Sequence, residues 1–289
     1  MSINPTQKSN RILLLGASGF IGNVLYKELL SYYDVYGTYA SQEGNFKDNQ
    51  VFYHYSVEDG GLDAILATLQ PNIIISALRG DFEAQLEAHR LLVSYCFGTH
   101  AKLLLLSSVN VFDGLGKFPS YENDKPRAES KYGLFKIALE KIVQELPEEQ
   151  YSILRLPIVL GVNAPRIFQL KQAIKHSASF EVYPNLIVSA ITADKVAQQV
   201  HYIINKGLYG IFHLTSNDVI HHDDLFQEIA EKISDKKPIF KSVFQSNDER
   251  YLALLPKKNK LPKNYQIQIS EVIEDSTLRD EIDTFKASL

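Results

Sequence analysis

The chain has 289 residues, 45% hydrophobic and 22% charged, enough apolar material for one large α/β unit with a smaller lobe. Thirty basic against thirty-four acidic residues leave a net charge of -4, so neither a polyanion-binding surface nor a nucleic-acid partner is expected. A single cysteine, Cys96, excludes an internal disulfide; residues 1–10 are polar and no apolar run approaches the roughly 20 residues of a membrane span, so a cytoplasmic chain without signal peptide or membrane contact is expected.

Ile12 to Leu15 is a short continuous apolar run, the pattern of a strand buried on both faces of a parallel sheet, and it runs into Gly16, Gly19 and Gly22. That reads as strand, tight turn, helix. Residues without a Cβ let the backbone turn sharply, let it approach a pyrophosphate, and let the helix pack on the strand with its N-terminus facing the anion. The spacing is GxxGxxG rather than GxGxxG, and an ordinary strand-to-helix connection is the alternative. Its place at the start of alternating strands and helices favours a nucleotide cofactor on residues 16–22.

A helix with Val24, Leu25, Leu29 and Leu30 on its apolar face follows, then a strand from Val35 to Tyr39. Where NAD-specific domains carry an acid for the ribose 2′-hydroxyl, this chain reads Thr38, Tyr39, Ala40, Ser41. No carboxylate there repels a 2′-phosphate and no arginine binds one, so the cofactor is expected to be NADP(H) or NAD(H). Val51 to Tyr55 is a third strand, Leu62 to Leu69 a helix ended by Pro71, and residues 72–77, Asn-Ile-Ile-Ile-Ser-Ala, a fourth strand. Residues 81–97 form a long amphipathic helix in which Cys96 is a buried apolar residue; His89 and His100 are structural. Lys102 to Phe112 is the fifth strand, with Ser107 and Ser108 where its apolar run stops, and ligands of open α/β sheets bind outside strand carboxyl ends.

Tyr132 and Lys136 then stand at i and i+4 on a helix running to about Leu146, their Cβ atoms ~5–6 Å apart. A free tyrosine, with a pKa of about 10, holds its proton too tightly to exchange it readily near neutral pH. A lysine ammonium one turn away and the charge of an oxidised nicotinamide favour the phenolate. Such a tyrosine can protonate a carbonyl oxygen as hydride arrives, while a serine hydroxyl beside it holds the same oxygen.

The order GxxGxxG, serine at the end of a later strand, then Tyr-x-x-x-Lys resembles the extended short-chain dehydrogenase/reductase superfamily. Within it the sequence is most similar to the dTDP-4-dehydrorhamnose reductase family. Residues 107–114, Ser-Ser-Val-Asn-Val-Phe-Asp-Gly, resemble that family's Ser-Thr-Asp-Tyr-Val-Phe-Asp-Gly. Tyr121-Glu122-Asn123-Asp124 through Pro126 to Tyr132-Gly133 and Lys136 resembles its Tyr-x-Glu-x-Asp, Pro, Tyr-Gly-x-x-Lys run. Ile153-Leu154-Arg155 through Gly161 and residues 210–214, Gly-Ile-Phe-His-Leu, resemble two later strands, so the likeness spans residues 11 to about 233.

The resemblance implies an α/β fold: a Rossmann-type doubly wound parallel sheet over residues 1–160, rejoined by about 190–215, and a smaller C-terminal α/β substrate lobe over 161–289. By position it implies Ser108 for the family's catalytic threonine, Tyr132 as general acid, and Lys136 tuning Tyr132 and holding the nicotinamide ribose. Gly16, Ser18, Gly19, Phe20, Ile21 and Gly22 would cradle the pyrophosphate. Thr38, Ser76, Ala77, Leu78, Ser107 and Leu156 would lie along the rest of the cofactor. Val109, Asn110, Ile158 and Ser189 would face the substrate. Val109-Asn110 replaces the family's Asp-Tyr and Ile158 its tryptophan, which alters the sugar pocket, and the missing acid at 109 argues against a dehydratase. The implied activity is NAD(P)H-dependent reduction of a keto group on a nucleotide-linked deoxy sugar. A nucleotide-sugar 4-epimerase and a non-catalytic NAD(P)-binding regulatory subunit are the alternatives, and a homodimer is left open.

In the C-terminal half, Pro165 to His176 reads as a helix, and residues 186–205 as a strand-like run followed by a helix capped by Thr192. His221-His222-Asp223-Asp224 is read as a helix start with Asp223 or Asp224 as N-cap, and no metal site is expected. Lys257-Lys258-Asn259-Lys260 reads as a solvated loop, and Leu278, Ile282 and Phe285 in the acidic tail as an apolar helix face on the small lobe.

Overall fold

The computed structural model describes residues 10–41, 46, 49–236, 238–244 and 247–278. In chain order the elements are β1 (Arg11–Leu15), α1 (Phe20–Leu29), β2 (Asp34–Tyr39), β3 (Phe52–His54), α2 (Leu62–Leu69), β4 (Ile73–Ser76), α3 (Phe82–Thr99), β5 (Lys102–Ser108), α4 (Lys131–Val143), β6 (Tyr151–Leu156) and β7 (Ile158–Leu160). There follow α5 (Pro165–His176), β8 (Ser179–Val182), β9 (Leu186–Val188), β10 (Ala190–Thr192), α6 (Ala193–Lys206), β11 (Gly210–His213), β12 (Ile220–His221), α7 (His222–Ile233), β13 (Ile239–Ser242), β14 (Arg250–Leu252) and α8 (Ile269–Thr277). The described residues form two compact units: one holds those up to Leu106 with Ala138–Leu154 and Val200–Gly210, the other Ser107–Ile137, Arg155–Gln199 and those from Ile211 on.

The first unit is built on a seven-stranded sheet of order β11-β6-β5-β4-β1-β2-β3, a Rossmann-type arrangement whose pairings from β5 to β3 are all parallel. β1 lies inside the sheet between β4 and β2, and its four apolar residues Ile12–Leu15 are fully buried, as their uninterrupted run requires of a strand covered on both faces. The chain leaves β1 for β2 on one side and returns to β4 on the other, so the strand order reverses beside the end of β1. That is where α/β sheets open a crevice. α3 is fastened to β4 by His89: its Nδ1–H donates to Gln85 O (2.6 Å), which leaves Nε2 to accept from Ser76 Oγ (2.9 Å). Cys96 is buried on the same helix, and burial pushes its thiol up to about 12, so it is a packing residue. His100, exposed, ends the helix in the left-handed region at φ 57°.

The second unit carries small sheets of order β12-β9-β14 and β13-β8, with helices α5, α7 and α8. Thr192 caps α6 as expected, its hydroxyl accepting the Lys195 N–H at 3.2 Å. Three expectations are corrected. The fifth strand stops at Ser108, because the Ser108 hydroxyl accepts the Asn110 N–H (3.2 Å) and turns Val109–Phe112 into a 3-10 helix. The N-cap of α7 is His221, not Asp223 or Asp224, and the two acids sit in the first turn, where they complement the helix dipole. Leu278 is 57% exposed at the end of α8, which buries Ile269, Val272 and Ile273 instead; Ile282 and Phe285 lie outside the described residues.

A buried polar cluster braces this unit. Arg155, 1% exposed, lies 4.8 Å over the Phe112 ring and directs NH1 to Glu122 O (3.3 Å) and His213 Nε2 (3.4 Å). Since a guanidinium only donates, His213 Nε2 accepts and its Nδ1–H donates to Leu255 O at 3.2 Å. The buried Glu122 carboxylate accepts the N–H groups of Lys257 and Lys258 at 3.1 Å, so the basic loop is anchored from within by its backbone. Burial and the Arg155 charge push His213 down to about 3. With the folded value depressed, the unfolded chain takes up the proton first, so stability falls as pH drops from about 6.5 toward that value. Glutamine at 213 can keep both hydrogen bonds without titrating. We expect the thermal midpoint of His213→Gln to fall less between pH 7 and pH 5 than that of the wild type, measured by circular dichroism.

Candidate functional site

The glycine turn is shaped by backbone contact. Gly16 has φ 79°, in the left-handed region, and a Cβ there would lie 2.6 Å from Ala77 O at the end of β4. A Cβ on Gly22 would lie 2.1 Å from Gly16 O, so α1 packs on the turn through a bare backbone. The Gly16 N–H donates to Thr38 Oγ1 (2.9 Å) and the Ser18 N–H to Thr38 O (3.3 Å). Gly19 is the N-cap of α1, with no side-chain cap and no acid in the first turn. The first-turn amides of Phe20 and Ile21 have no intrahelical partner and carry the positive end of the helix dipole, an arrangement suited to an anion.

Around this turn Ala77 and Leu78 are half-buried next to Gly16. Two hydroxyls expected beside a cofactor are used by the protein itself. Thr38, 1% exposed, holds the turn from below, leaving Ala40 and Ser41 as the exposed positions after β2, and Ser76 is buried against His89.

The second constellation belongs to the other unit. Ser108, half-buried, donates its hydroxyl to Asn110 Oδ1 at 3.0 Å, while Ser107 behind it is buried. Val109 packs with Val111, Phe112 and Leu254 in an apolar cluster, so of the two residues after Ser108 only Asn110 reaches open space. Asn110 lines a cavity of about 300 Å³ with Asp113, Glu129, Ser130, Leu186, Arg250, Tyr251 and Leu252. On α4, Tyr132 is 41% exposed and Lys136 is buried, with Lys136 Nζ 5.8 Å from the centre of the Tyr132 ring. The two stand one helical turn apart, the tyrosine open to solvent and the lysine covered.

Leu156 is buried, Ile158 is half-buried on β7 and paired with Ala190 of β10, and Ser189 is fully buried with its hydroxyl accepting the Leu254 N–H at 2.9 Å. The Ser189 hydroxyl thus braces the Leu254 backbone. Leu186 and Arg250, by contrast, line the cavity without having been marked by any motif, since a strand residue and a loop-end arginine carry no local signature of a pocket.

Across residues 10–275 the chain matches a family model described as the RmlD substrate binding domain. The chain belongs to that family. The match extends beyond the expected limit near 233 and takes in β13, β14 and most of α8. Among solved structures, a hypothetical dTDP-4-dehydrorhamnose reductase from Sulfolobus tokodaii is similar at 21% identity and TM-score 0.73, over 89% of this chain and 99% of that one. A dTDP-4-dehydrorhamnose reductase from Bacillus anthracis in complex with NADP gives 20% identity and TM-score 0.72, over 93% and 98%. A UDP-glucose 4-epimerase from Thermotoga maritima with UDP-glucose gives 18% and 0.74, over 96% and 99%. At these identities the likeness is one of fold. None of the curated proteins matches.

Because the Gly22 contact is with backbone, no side chain can move aside for an added methyl group. We expect Gly22→Ala to cost about 1–3 kcal/mol of stability, read from the denaturation midpoint, whereas Gly98→Ala, where a Cβ meets nothing within 4 Å, is expected not to destabilise.

Proposed function

We propose that this member of the RmlD family is an NAD(P)H-dependent oxidoreductase of the extended short-chain dehydrogenase/reductase type, reducing a keto group on a nucleotide-linked deoxy sugar. The observation that carries the reading is the pair of Ser108, at the strand end beside the cavity, and the accessible Tyr132 with Lys136 one helical turn away. The Cβ-less turn at Gly16 and Gly22 and the uncapped start of α1 fit a dinucleotide pyrophosphate, held by Gly16, Ser18, Gly19, Phe20, Ile21 and Gly22. The nicotinamide cofactor, when bound, supplies the hydride.

In this reading Tyr132 delivers a proton to the substrate oxygen, Lys136 stabilises the phenolate that remains, and Ser108 exchanges its bond to Asn110 for one to the same oxygen. Asn110 then turns its carboxamide to a hydroxyl of the sugar, in a cavity whose polar wall includes Ser130 and Arg250 and whose apolar wall includes Leu186 and Leu252. That two of the compared reductase and epimerase structures hold NADP or a UDP-sugar supports both ligand classes. Thr38 is occupied by the turn, and Tyr39, Ala40 and Ser41 after it include neither an arginine nor a carboxylate, so the reading takes in either coenzyme.

Calorimetry of cofactor-free protein against NADPH and NADH is expected to show saturable binding of at least one, and no binding of either overturns the reading. On a keto-sugar nucleotide that the wild type reduces, Tyr132→Phe is expected to lower turnover roughly 100- to 10,000-fold with little change in cofactor affinity. NAD that stays bound through purification, with interconversion of sugars but no net oxidation of added cofactor, identifies the epimerase instead.

A further inference from the structure

The turn that leaves Ser108 and the helix that carries Tyr132 are fastened together through the carboxylate of Asp113, which has no part in the proposed chemistry. Asp113 closes the 3-10 turn, its N–H donating to Asn110 O at 3.2 Å. Its carboxylate then reaches across to the approach of α4. Oδ1 accepts the N–H groups of Glu129 (2.6 Å) and Ser130 (3.3 Å), and Oδ2 accepts the Ser130 hydroxyl. Ser130 Oγ in turn accepts the N–H of Gly133 at 2.9 Å, satisfying a first-turn amide of α4. At Gly133 the backbones touch: a Cβ would lie 2.3 Å from Asn110 O and 2.8 Å from Asp113 Oδ2. Asp113 is itself held, since Gly114 N–H donates to Arg127 O (3.0 Å) and Arg250 NH2 donates to Asp113 O (3.0 Å).

We propose that Asp113 is a positioning residue, clamping the first turn of α4 against the Ser108 turn so that the Tyr132 and Ser108 hydroxyls address one substrate oxygen; the proposal rests on the roles given to those two residues above. Tyr132 immediately precedes the contact residue Gly133, and Ser108 lies two residues before the contact residue Asn110, so a shift at this contact alters their separation directly. Lys136 rides on the same helix and keeps its relation to Tyr132 whatever the clamp does. Asp113 therefore sets one distance, from the strand-end hydroxyl to the phenol, while touching neither group. A misplacement of about 1 Å at such a pair costs on the order of 100-fold in rate.

The test uses the full chain, with Asp113→Ala, Asp113→Asn and each of them combined with Tyr132→Phe. Amide hydrogen exchange over residues 129–137 needs no substrate. It is expected to quicken in Asp113→Ala by on the order of tenfold, confined to that segment, and by less in Asp113→Asn, which keeps one acceptor oxygen. With a keto-sugar nucleotide reduced by the wild type, kcat is expected to fall on the order of 100-fold in Asp113→Ala, with cofactor affinity unchanged and partial recovery in Asp113→Asn. Added to Tyr132→Phe, Asp113→Ala is expected to cost no further rate.

Unchanged exchange over 129–137, or quickening spread over the whole chain, overturns the clamp. A rate loss that persists undiminished in the Tyr132→Phe background overturns its action through Tyr132. If the wild type binds neither cofactor nor reduces any keto sugar, the proposed function falls, and the exchange measurement still decides whether Asp113 holds the helix.

Discussion

Contact between bare backbones is the constraint on which the rest of this structure depends. It occurs at the two places where chemistry is proposed. In one unit α1 meets the Gly16 carbonyl at Gly22, with 2.1 Å left for an absent Cβ, and in the other α4 meets the Asn110 carbonyl at Gly133, with 2.3 Å. Each contact brings the start of a helix against the turn at the carboxyl end of a strand, closer than any side chain allows. The first aims helix amides at the Gly16 turn; the second sets α4, with Tyr132 and Lys136, beside Ser108. Neither glycine has a positive φ, so what each supplies is space rather than conformational freedom.

Hydrogen bonds within each unit hold these contacts in place, and they use up groups that look available in the sequence. A buried hydroxyl or amide left unpaired costs the full desolvation of that group, so interiors pair their polar atoms internally wherever they can. Thr38 supports the Gly16 amide, Ser76 engages His89, and Ser189 receives the Leu254 amide. The Arg155, Glu122 and His213 cluster does the same on a larger scale, joining the Phe112 ring, the Lys257–Lys258 backbone and Leu255. The two charges of that cluster, on Arg155 and Glu122, are buried together with hydrogen-bond partners, which offsets their desolvation.

Membership of the RmlD family covers both units, and the departures from the dTDP-4-dehydrorhamnose reductase pattern act unequally once folded. Val109, in place of an acid, is absorbed into an apolar cluster and leaves the cavity wall. Asn110, in place of a tyrosine, stays on the wall and takes the Ser108 hydroxyl as a partner. A shorter, polar side chain at that point widens the space for a ligand and changes which of its groups are met by a hydrogen bond. Of the two residues after Ser108, it is therefore Asn110 alone that shapes the cavity wall.

Much of the fold was legible in the residues themselves. Leu62–Leu69, ended before Pro71, and Pro165–His176 are helices over the ranges their sequence marks out, and Ile12–Leu15 lies in the buried interior strand that a continuous apolar run requires. The glycine spacing, the strand-end serine and the Tyr132–Lys136 pair were legible for the same reason: each depends on neighbours within a few residues. What tertiary structure decided was where polar side chains spend their hydrogen bonds. The apolar alternation Val109-Asn110-Val111 reads as more strand until the Ser108 hydroxyl captures the Asn110 amide, and the partners of the Thr38 and Ser189 hydroxyls are backbone amides 22 and 65 residues away in sequence. Asp113, Leu186 and Arg250 come to one cavity from three separated stretches, and no local pattern records that meeting, because burial and pairing depend on which segments the folded chain brings within reach.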